Sequence, residues 1–136
     1  MNIRIPLNEF QKSLYQLLSK GQSVPVYDRI PDEQITLPYI WLGMMQDVPI
    51  DENKTFFTHS ITQYIHVFSN SQGKKEMSEI MNDIIYLISA YDLPMEHNRL
   101  IESELSTVTA NGEEYQEGMT GYHGIIVYKF KIQQED

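Results

Sequence analysis

The chain has four residues of the type best suited to bind a metal or carry protons, the histidines at His59, His66, His97 and His123. His59 and His66 differ in parity along one predicted strand, so their side chains point to opposite faces of a sheet. His97 directly follows Glu96, and adjacent residues rarely chelate one ion. We therefore interpret all four as ordinary surface or sheet histidines, and we predict neither a metal site nor a cofactor.

Carboxylates are the second candidate for chemistry. Glu102 and Glu104 lie two residues apart on a predicted strand, which places them on one face at roughly 7 Å. Such a pair can serve as general acid and general base only in a cleft that raises the pKa of one partner. The sequence shows no cleft of that kind, so a solvated strand face is the preferred interpretation. A small hydrolase with unrecognised carboxylates stays open as an alternative.

Other catalytic motifs are missing from the sequence. It contains no cysteine, no phosphate-binding glycine loop with its Lys and Ser/Thr, and no nucleophile elbow. We therefore predict that the protein is not an enzyme.

Size and charge narrow the class of protein. A chain of 136 residues is expected to form one domain over residues 1–136. Its net charge of −9, and basic pairs only at 74–75 and 129/131, argue against specific binding to nucleic acid. No apolar run approaches the ~18 residues of a membrane span, and the N-terminus lacks a signal-peptide pattern. We expect a soluble protein of the cell interior without membrane contact.

Hydrophobic periodicity predicts two helices. Residues 8–20 carry apolar side chains at i, i+4, i+7 and i+8, with Asn8 as N-cap and Gly21 just past the end. A second apolar stripe predicts a helix over 72–90, in which Met77 and Met81 are interpreted as core.

Four strands are predicted, at 39–46, 56–69, 99–109 and 122–132. In the second, Ile61 and Ile65 share one face while Phe68 lies on the other. Trp41, in an apolar strand, is interpreted as buried. The order α-β-β-α-β-β predicts an α+β fold: an antiparallel sheet of about four strands with two helices packed on one face.

Three connectors join these elements. The segment 22–38 is predicted to be semi-rigid, because the residue before each of its prolines is restricted to extended geometry. The polar segments about 46–56 and 110–121 are predicted to be mobile loops. If the two β–β connections are arranged alike, both loops project from the same edge of the sheet.

Several stretches resemble the tail-completion, or tail-to-head joining, family of long-tailed bacteriophages and prophages. They are LYQLLS, VYDRIPDEQITLPYIWLG, TQYIHVFSNSQGKKEMSEIMNDI and GYHGIIVYKFKI, together about residues 10–132. The most specific block joins Arg29-Ile30-Pro31 to Leu37-Pro38-Tyr39. The segment MMQDVPIDENKTFF departs from the family pattern, so partner contacts cannot be transferred to it.

The resemblance implies a structural virion protein at the head-proximal end of the tail tube. Its partners are then the tail-tube protein and the head-connector protein, and its copies form a hexameric ring through heterologous contacts. It would reside in the host cytoplasm before assembly and at the head–tail junction of the virion afterwards. An acidic ring suits a channel through which DNA passes. A non-enzymatic cytoplasmic interaction domain of prophage origin is the alternative.

The two loops are expected to supply the joining surfaces, and the 110–121 loop is expected to become ordered on binding. The candidate partner-contact residues are Asp47, Asp51, Glu52, Phe56, Glu113, Glu114, Tyr115, Glu117 and Met119.

Overall fold

The structure, a computed structural model, describes residues 3–30, 36–50, 57–70, 74–116 and 119–135, with the backbone alone at 113–116 and 119–120. Two helices and five strands follow one another along the chain. They are α1 (Leu7–Gly21), β1 (Val26–Tyr27), β2 (Tyr39–Ile50), β3 (Thr58–Ser69), α2 (Lys75–Ala90), β4 (Asn98–Gln116) and β5 (Met119–Gln134).

The strands form one sheet in the order β1-β2-β3-β5-β4. All neighbours are antiparallel except β1 and β2, which are parallel. The predicted α+β class is confirmed. The fifth strand is the two-residue β1, which arises from the Pro-punctuated connector and pairs Val26 with Ile40 at the sheet edge.

Both helices bury their apolar stripes against the same sheet face. Phe10, Leu14 and Leu18 of α1 are fully buried, and the ring of Phe10 lies 4.9 Å from that of Phe130 on β5. In α2, Met77 and Met81 are buried over Gly124, where an added Cβ would come within 2.7 Å of the Met81 sulfur. The interpretation of these methionines as core is confirmed.

The start of α1 differs from the prediction. The helix begins at Leu7, and Pro6 rather than Asn8 occupies the N-cap position, with its carbonyl accepting the Phe10 N–H at 3.0 Å. At the other end, the Gln22 side chain donates to the Leu18 carbonyl at 2.8 Å. Neither described helix is long and apolar enough to cross a lipid bilayer.

Alternation along β3 divides the two faces of the sheet as predicted. Ile61 and Ile65 are buried beneath the helices, whereas Phe68 lies on the helix-free face and is half-buried. The core thus sits between the helix pair and one face of β2, β3 and β5.

Part of each predicted loop lies in a strand of the structure. Residues 46–50 belong to β2, and the segment predicted as a connector at 110–121 continues β4 to Gln116 and starts β5 at Met119. Backbone pairing explains the difference, because Ala110 pairs with Gly124 and the ladder runs on to Gln116 and Met119. Cross-strand hydrogen bonds outweigh the weak intrinsic β preference of Gly and Glu.

Candidate functional site

The helix-free face of the sheet carries a cluster of aromatic rings. This aromatic cluster consists of Tyr39 and Trp41 on β2, His66 and Phe68 on β3, and His123 on β5. The ring centroids of Trp41 and His66 are 4.6 Å apart, those of Phe68 and His123 are 4.3 Å apart, and those of Tyr39 and Phe68 are 4.9 Å apart. The cluster therefore spans three neighbouring strands.

Strand register builds the cluster. Tyr39 faces Phe68, Trp41 faces His66, and Phe68 faces His123 across successive ladders. Aromatic side chains in such cross-strand positions attract each other by offset stacking.

The two histidines of the cluster are also joined by a hydrogen bond, with His66 Nδ1 2.8 Å from His123 Nε2. Gly43 makes room for this arrangement, because a Cβ there would lie 2.8 Å from the His66 ring. The hydrogen bond fixes how the two rings lie on the sheet.

A sheet face turned to solvent usually carries polar residues, so an aromatic face indicates a binding surface.

Trp41 was interpreted as buried. It is half-buried and lies on the sheet face opposite the core. Its indole Nε1 is buried and has no hydrogen-bond partner among the residues that the structure describes. Tyr39 has a pKa above its usual value because of burial and the neighbouring Tyr27 hydroxyl.

A β-hairpin arm extends from the sheet beside this cluster. The last β3 residue, Ser69, faces Tyr122, whereas the β4–β5 ladder continues past that point to Gln116 and Met119. We name residues 113–116 together with 119–121 the hairpin arm. Four predicted contact residues lie on its strands: Glu113, Glu114, Tyr115 and Met119. Glu117 lies outside the described residues.

Three other predicted contact residues fall in the segment of the sequence that connects β2 to β3. Ile50, at the end of β2, faces Thr58, and Thr58 in turn faces Gln133 near the end of β5. Because β3 pairs directly with β5, the β2–β3 and β4–β5 connections leave the sheet at opposite ends. The prediction that they share an edge is wrong. Asp51, Glu52 and Phe56 lie outside the described residues.

Asp47 lies on β2 and not in a loop, and its carboxylate points into the protein. Both carboxylate oxygens contact His59 Nδ1, at 2.9 and 3.1 Å. The Asp47 side chain is 9% exposed and the His59 side chain 1%. This pair ties β2 to β3 and leaves little of Asp47 for a partner to contact.

The carboxylate pair considered for catalysis lies in the open. Glu102 faces Lys131 and Glu104 faces Lys129 across the β4–β5 ladder, and both glutamates are exposed. Opposite charges in facing positions favour a solvated ion ladder rather than a general acid–base pair.

A surface groove of about 880 Å³ lies between the two helices. Its described lining includes Leu17, Lys20, Asp83, Tyr86 and Tyr91. Its described lining contains no histidine, and it lies on the side of the protein opposite the aromatic cluster.

Fold and surface together define a small α+β domain with an aromatic sheet face and a protruding hairpin, features of a protein-binding module. The sequence profile of the family described as "Tail completion protein gp17" matches residues 13–133, and this chain belongs to that family. The resemblance stated from the sequence is thereby confirmed. The protein is a structural tail-completion protein of the phage type.

A solved structure is similar in fold. One chain of the "Virion of native gene transfer agent (GTA) particle" superposes with a TM-score of 0.80 at 17% sequence identity, covering 96% of this chain and 99% of that chain. At this identity the likeness establishes the shared fold. A search among curated proteins finds no match.

Sequence reasoning missed the aromatic cluster. Trp41, His66, Phe68 and His123 were each visible as strand residues, and the parity of His66 and Phe68 placed them on one face. What was lacking was the register that sets β2 and β5 on either side of β3.

Proposed function

We propose that this protein binds the tail-tube protein at one end of its sheet and the head-connector protein at the other. The observation that carries this proposal is the exit of the β2–β3 and β4–β5 connections at opposite ends of one rigid sheet. A joining component needs two separate contact surfaces, and a sheet with an apolar core holds such surfaces at a fixed distance from each other.

The hairpin arm and the aromatic cluster form one of these surfaces in our proposal. The arm is a two-stranded ribbon whose described strands include Glu113 and Glu114, and its base adjoins Phe68 and His123. Aromatic residues are enriched at protein interfaces, where they bury large areas at little cost in side-chain entropy. We place Tyr115 and Met119 in the same contact.

The copies are proposed to form a hexameric ring at the tube end. The two edges of the sheet differ, since β1 and β2 form one and β4 forms the other. Unlike edges suit a heterologous contact that repeats until the ring closes. The net charge of −9 suits a channel that DNA crosses without binding. A ring predicts sixfold symmetry in images of the tail end viewed along the tube axis, and a tail end without it would refute the ring.

The protein is proposed to act without catalysis and without a cofactor, and to reside in the host cytoplasm until it joins the virion. Its contribution is a set of contacts that align two preformed assemblies. Loss of the protein should therefore leave complete heads and complete tails unjoined.

A mixing experiment tests the function. Filled heads and tails from particles lacking this protein are combined with purified protein, and joined particles are counted by negative-stain electron microscopy. Wild-type protein should restore joining, and normal joining without any added protein would refute the proposal.

Two variants test the surface. Trp41→Ala should restore joining at least tenfold less well than wild type, since interface aromatics commonly contribute ~1.4 kcal/mol or more. Tyr86→Ala, which removes an exposed aromatic from the opposite face of the protein, is the matched control and should restore joining fully. Equal joining by the two variants would exclude the aromatic cluster as a contact surface.

A further inference from the structure

The outer edge of β2 is open over most of its length. Within the described residues, β1 pairs only with Ile40 and Trp41, so residues 42–50 of β2 pair with β3 alone. The N–H and C=O groups along an open strand edge are a template on which a further strand can pair. The other edge of the sheet, formed by β4, has no neighbouring strand in the described parts of the chain either.

The two edges differ in their protection against strand addition. β4 carries the exposed side chains of Glu102 and Glu104, and its register with β5 shifts at three points. Charges and bulges of this kind keep edge strands from pairing. Residues 44–48 of β2 expose no charge, because their one carboxylate, that of Asp47, is 9% exposed and contacts His59. The edge of β2 is therefore the one suited to accept a strand.

Large apolar side chains are exposed along this part of β2. Met44 is 59% exposed and Val48 is 49% exposed, with the exposed side chain of Gln46 midway between them. Asp47 faces the buried Ile61, so alternation places Gln46 and Val48 on the helix-free face of the sheet. The stretch thus has an apolar residue at each end and an amide at its centre.

Pro49 indicates which backbone groups face the open edge. Proline has no N–H, and within a sheet it occupies positions where the missing donor faces away from the ladder. The direction of hydrogen bonding alternates along an antiparallel strand, and the β2–β3 register is regular from Met45 to Ile50. The N–H and C=O groups of Met45 and Asp47 therefore face the open edge.

We propose that this edge of β2 pairs with the same edge of a second copy, antiparallel and with twofold symmetry centred on Gln46. In that register Met45 faces Asp47 of the second copy, and the two equivalent pairs form four backbone hydrogen bonds. Met44 faces Val48 of the second copy in two equivalent places, so both exposed apolar side chains lose contact with water. A twofold contact is closed, and association stops at the dimer.

The composition of the edge favours a second copy as its occupant. Copies with a net charge of −9 repel each other, but the contact over residues 44–48 brings no charged side chains together. Added salt should therefore strengthen the dimer by screening the remaining repulsion. Strand pairing with β4 of another copy would instead bring Glu102 and Glu104 beside Met44 and Val48.

The dimer is a state of the free protein and does not depend on the proposed joining function. It covers one of the two sheet edges assigned above to the ring. Two copies must therefore separate before a ring closes, and this consequence alone rests on the proposed ring.

Sedimentation equilibrium of the full-length protein measures the association. The contact is shorter than a standard protein interface, so we expect a monomer–dimer equilibrium with a Kd of about 0.1 mM. Association should become tighter as the salt concentration rises. A protein that stays monomeric at about 0.5 mM, five times the expected Kd, would overturn the proposal, and so would association that weakens with added salt.

The residue at the twofold axis allows a charge-exchange test. Gln46→Glu places two carboxylates opposite each other and Gln46→Lys two ammonium groups, so each variant alone should dimerise at least tenfold more weakly than wild type. An equimolar mixture of the two variants should regain wild-type association, because the mixed dimer pairs opposite charges. Gln46 is exposed, so both substitutions leave folding intact. A mixture that associates no better than the separate variants would overturn the twofold register.

The matched control lies on the other edge of the sheet. Thr107→Glu, at an exposed residue of β4, should dimerise as wild type does. Amide hydrogen exchange at Met45 and Asp47 should slow as the protein concentration rises, since their N–H groups become hydrogen-bonded in the dimer. Weaker association of Thr107→Glu together with unchanged association of Gln46→Glu would place the contact on β4 and overturn the proposal.

Discussion

The imidazole rings of His66 and His123 lie 5.0 Å apart and are joined by a 2.8 Å hydrogen bond between Nδ1 and Nε2. One ring donates the proton and the other accepts it, so the bond requires at least one neutral imidazole. This contact links β3 to β5 on the face without helices.

Replacing one of these rings should weaken the fold modestly. His123→Ala removes the hydrogen bond and the stacking on Phe68, and we expect the free energy of unfolding to fall by about 1–2 kcal/mol. Urea unfolding monitored by circular dichroism measures the change. For His97→Ala, at a half-exposed histidine, the free energy of unfolding should fall by no more than about 0.5 kcal/mol. Equal losses for the two variants would show that the ring contact contributes nothing specific.

The Asp47–His59 pair should matter more, because both side chains are buried. Asp47→Ala leaves His59 without its partner in a site where the imidazole is 1% exposed. Leaving a buried polar group without a hydrogen-bond partner costs about 1–3 kcal/mol. We expect the free energy of unfolding to fall by an amount in the upper half of that range. Equilibrium unfolding in urea measures it.

The control for that experiment is Asp83→Ala, at an exposed aspartate of α2. It should change stability by less than about 0.5 kcal/mol. If Asp47→Ala were equally mild, the contact between Asp47 and His59 would contribute little to the stability of the fold.

Local signals were sufficient to predict much of the fold. Apolar spacing along residues 8–20 and 72–90 reflects which helix face is buried, and alternation in β3 reflects which strand face is buried. Both are properties of a short segment, so Phe10, Ile61 and Ile65 could be assigned to the core without knowing their neighbours.

Pairing between distant strands could not be predicted in the same way. The segment 110–116 has the Gly and Glu composition of a loop, and it becomes a strand because β5 pairs with it. The neighbourhood of Trp41, His66 and His123 depends on the order β2-β3-β5, which also sends the two β–β connections to opposite ends. Such long-range relationships are absent from any window of the sequence.

Gly21 is predicted to be required by close packing between the helices. A Cβ at this position would lie 2.6 Å from a Leu87 methyl carbon. Alanine is the better helix former by up to ~1 kcal/mol, yet overpacking typically costs about 1–3 kcal/mol. We therefore expect Gly21→Ala to destabilise the protein, as measured by its thermal unfolding temperature.

The comparison for that variant is Gly112→Ala, where the nearest atom to an added Cβ is a Tyr122 ring carbon at 3.8 Å. The added methyl group has room at this position, so the unfolding temperature should stay nearly unchanged. A higher unfolding temperature for Gly21→Ala would mean that Leu87 moves aside at no cost.

The buried phenol of Tyr128 should make the protein less stable at alkaline pH. Its side chain is 3% exposed, and burial raises the pKa of its phenol above the usual value of 10.0. In the unfolded chain the phenol ionises near pH 10, while in the folded protein it stays protonated to higher pH. The unfolded state then binds fewer protons, so stability is complete below about pH 10 and falls as the pH rises toward the folded-state pKa.

Urea midpoints measured from pH 7 to 11.5 should therefore decline above pH 10, and the midpoints of Tyr128→Phe should decline less steeply than those of wild type. Tyr86→Phe, at a tyrosine 61% exposed, is the control and should follow the wild-type curve. If wild type and Tyr128→Phe declined in parallel, the alkaline loss would have to come from other groups, and the buried phenol would not be its cause.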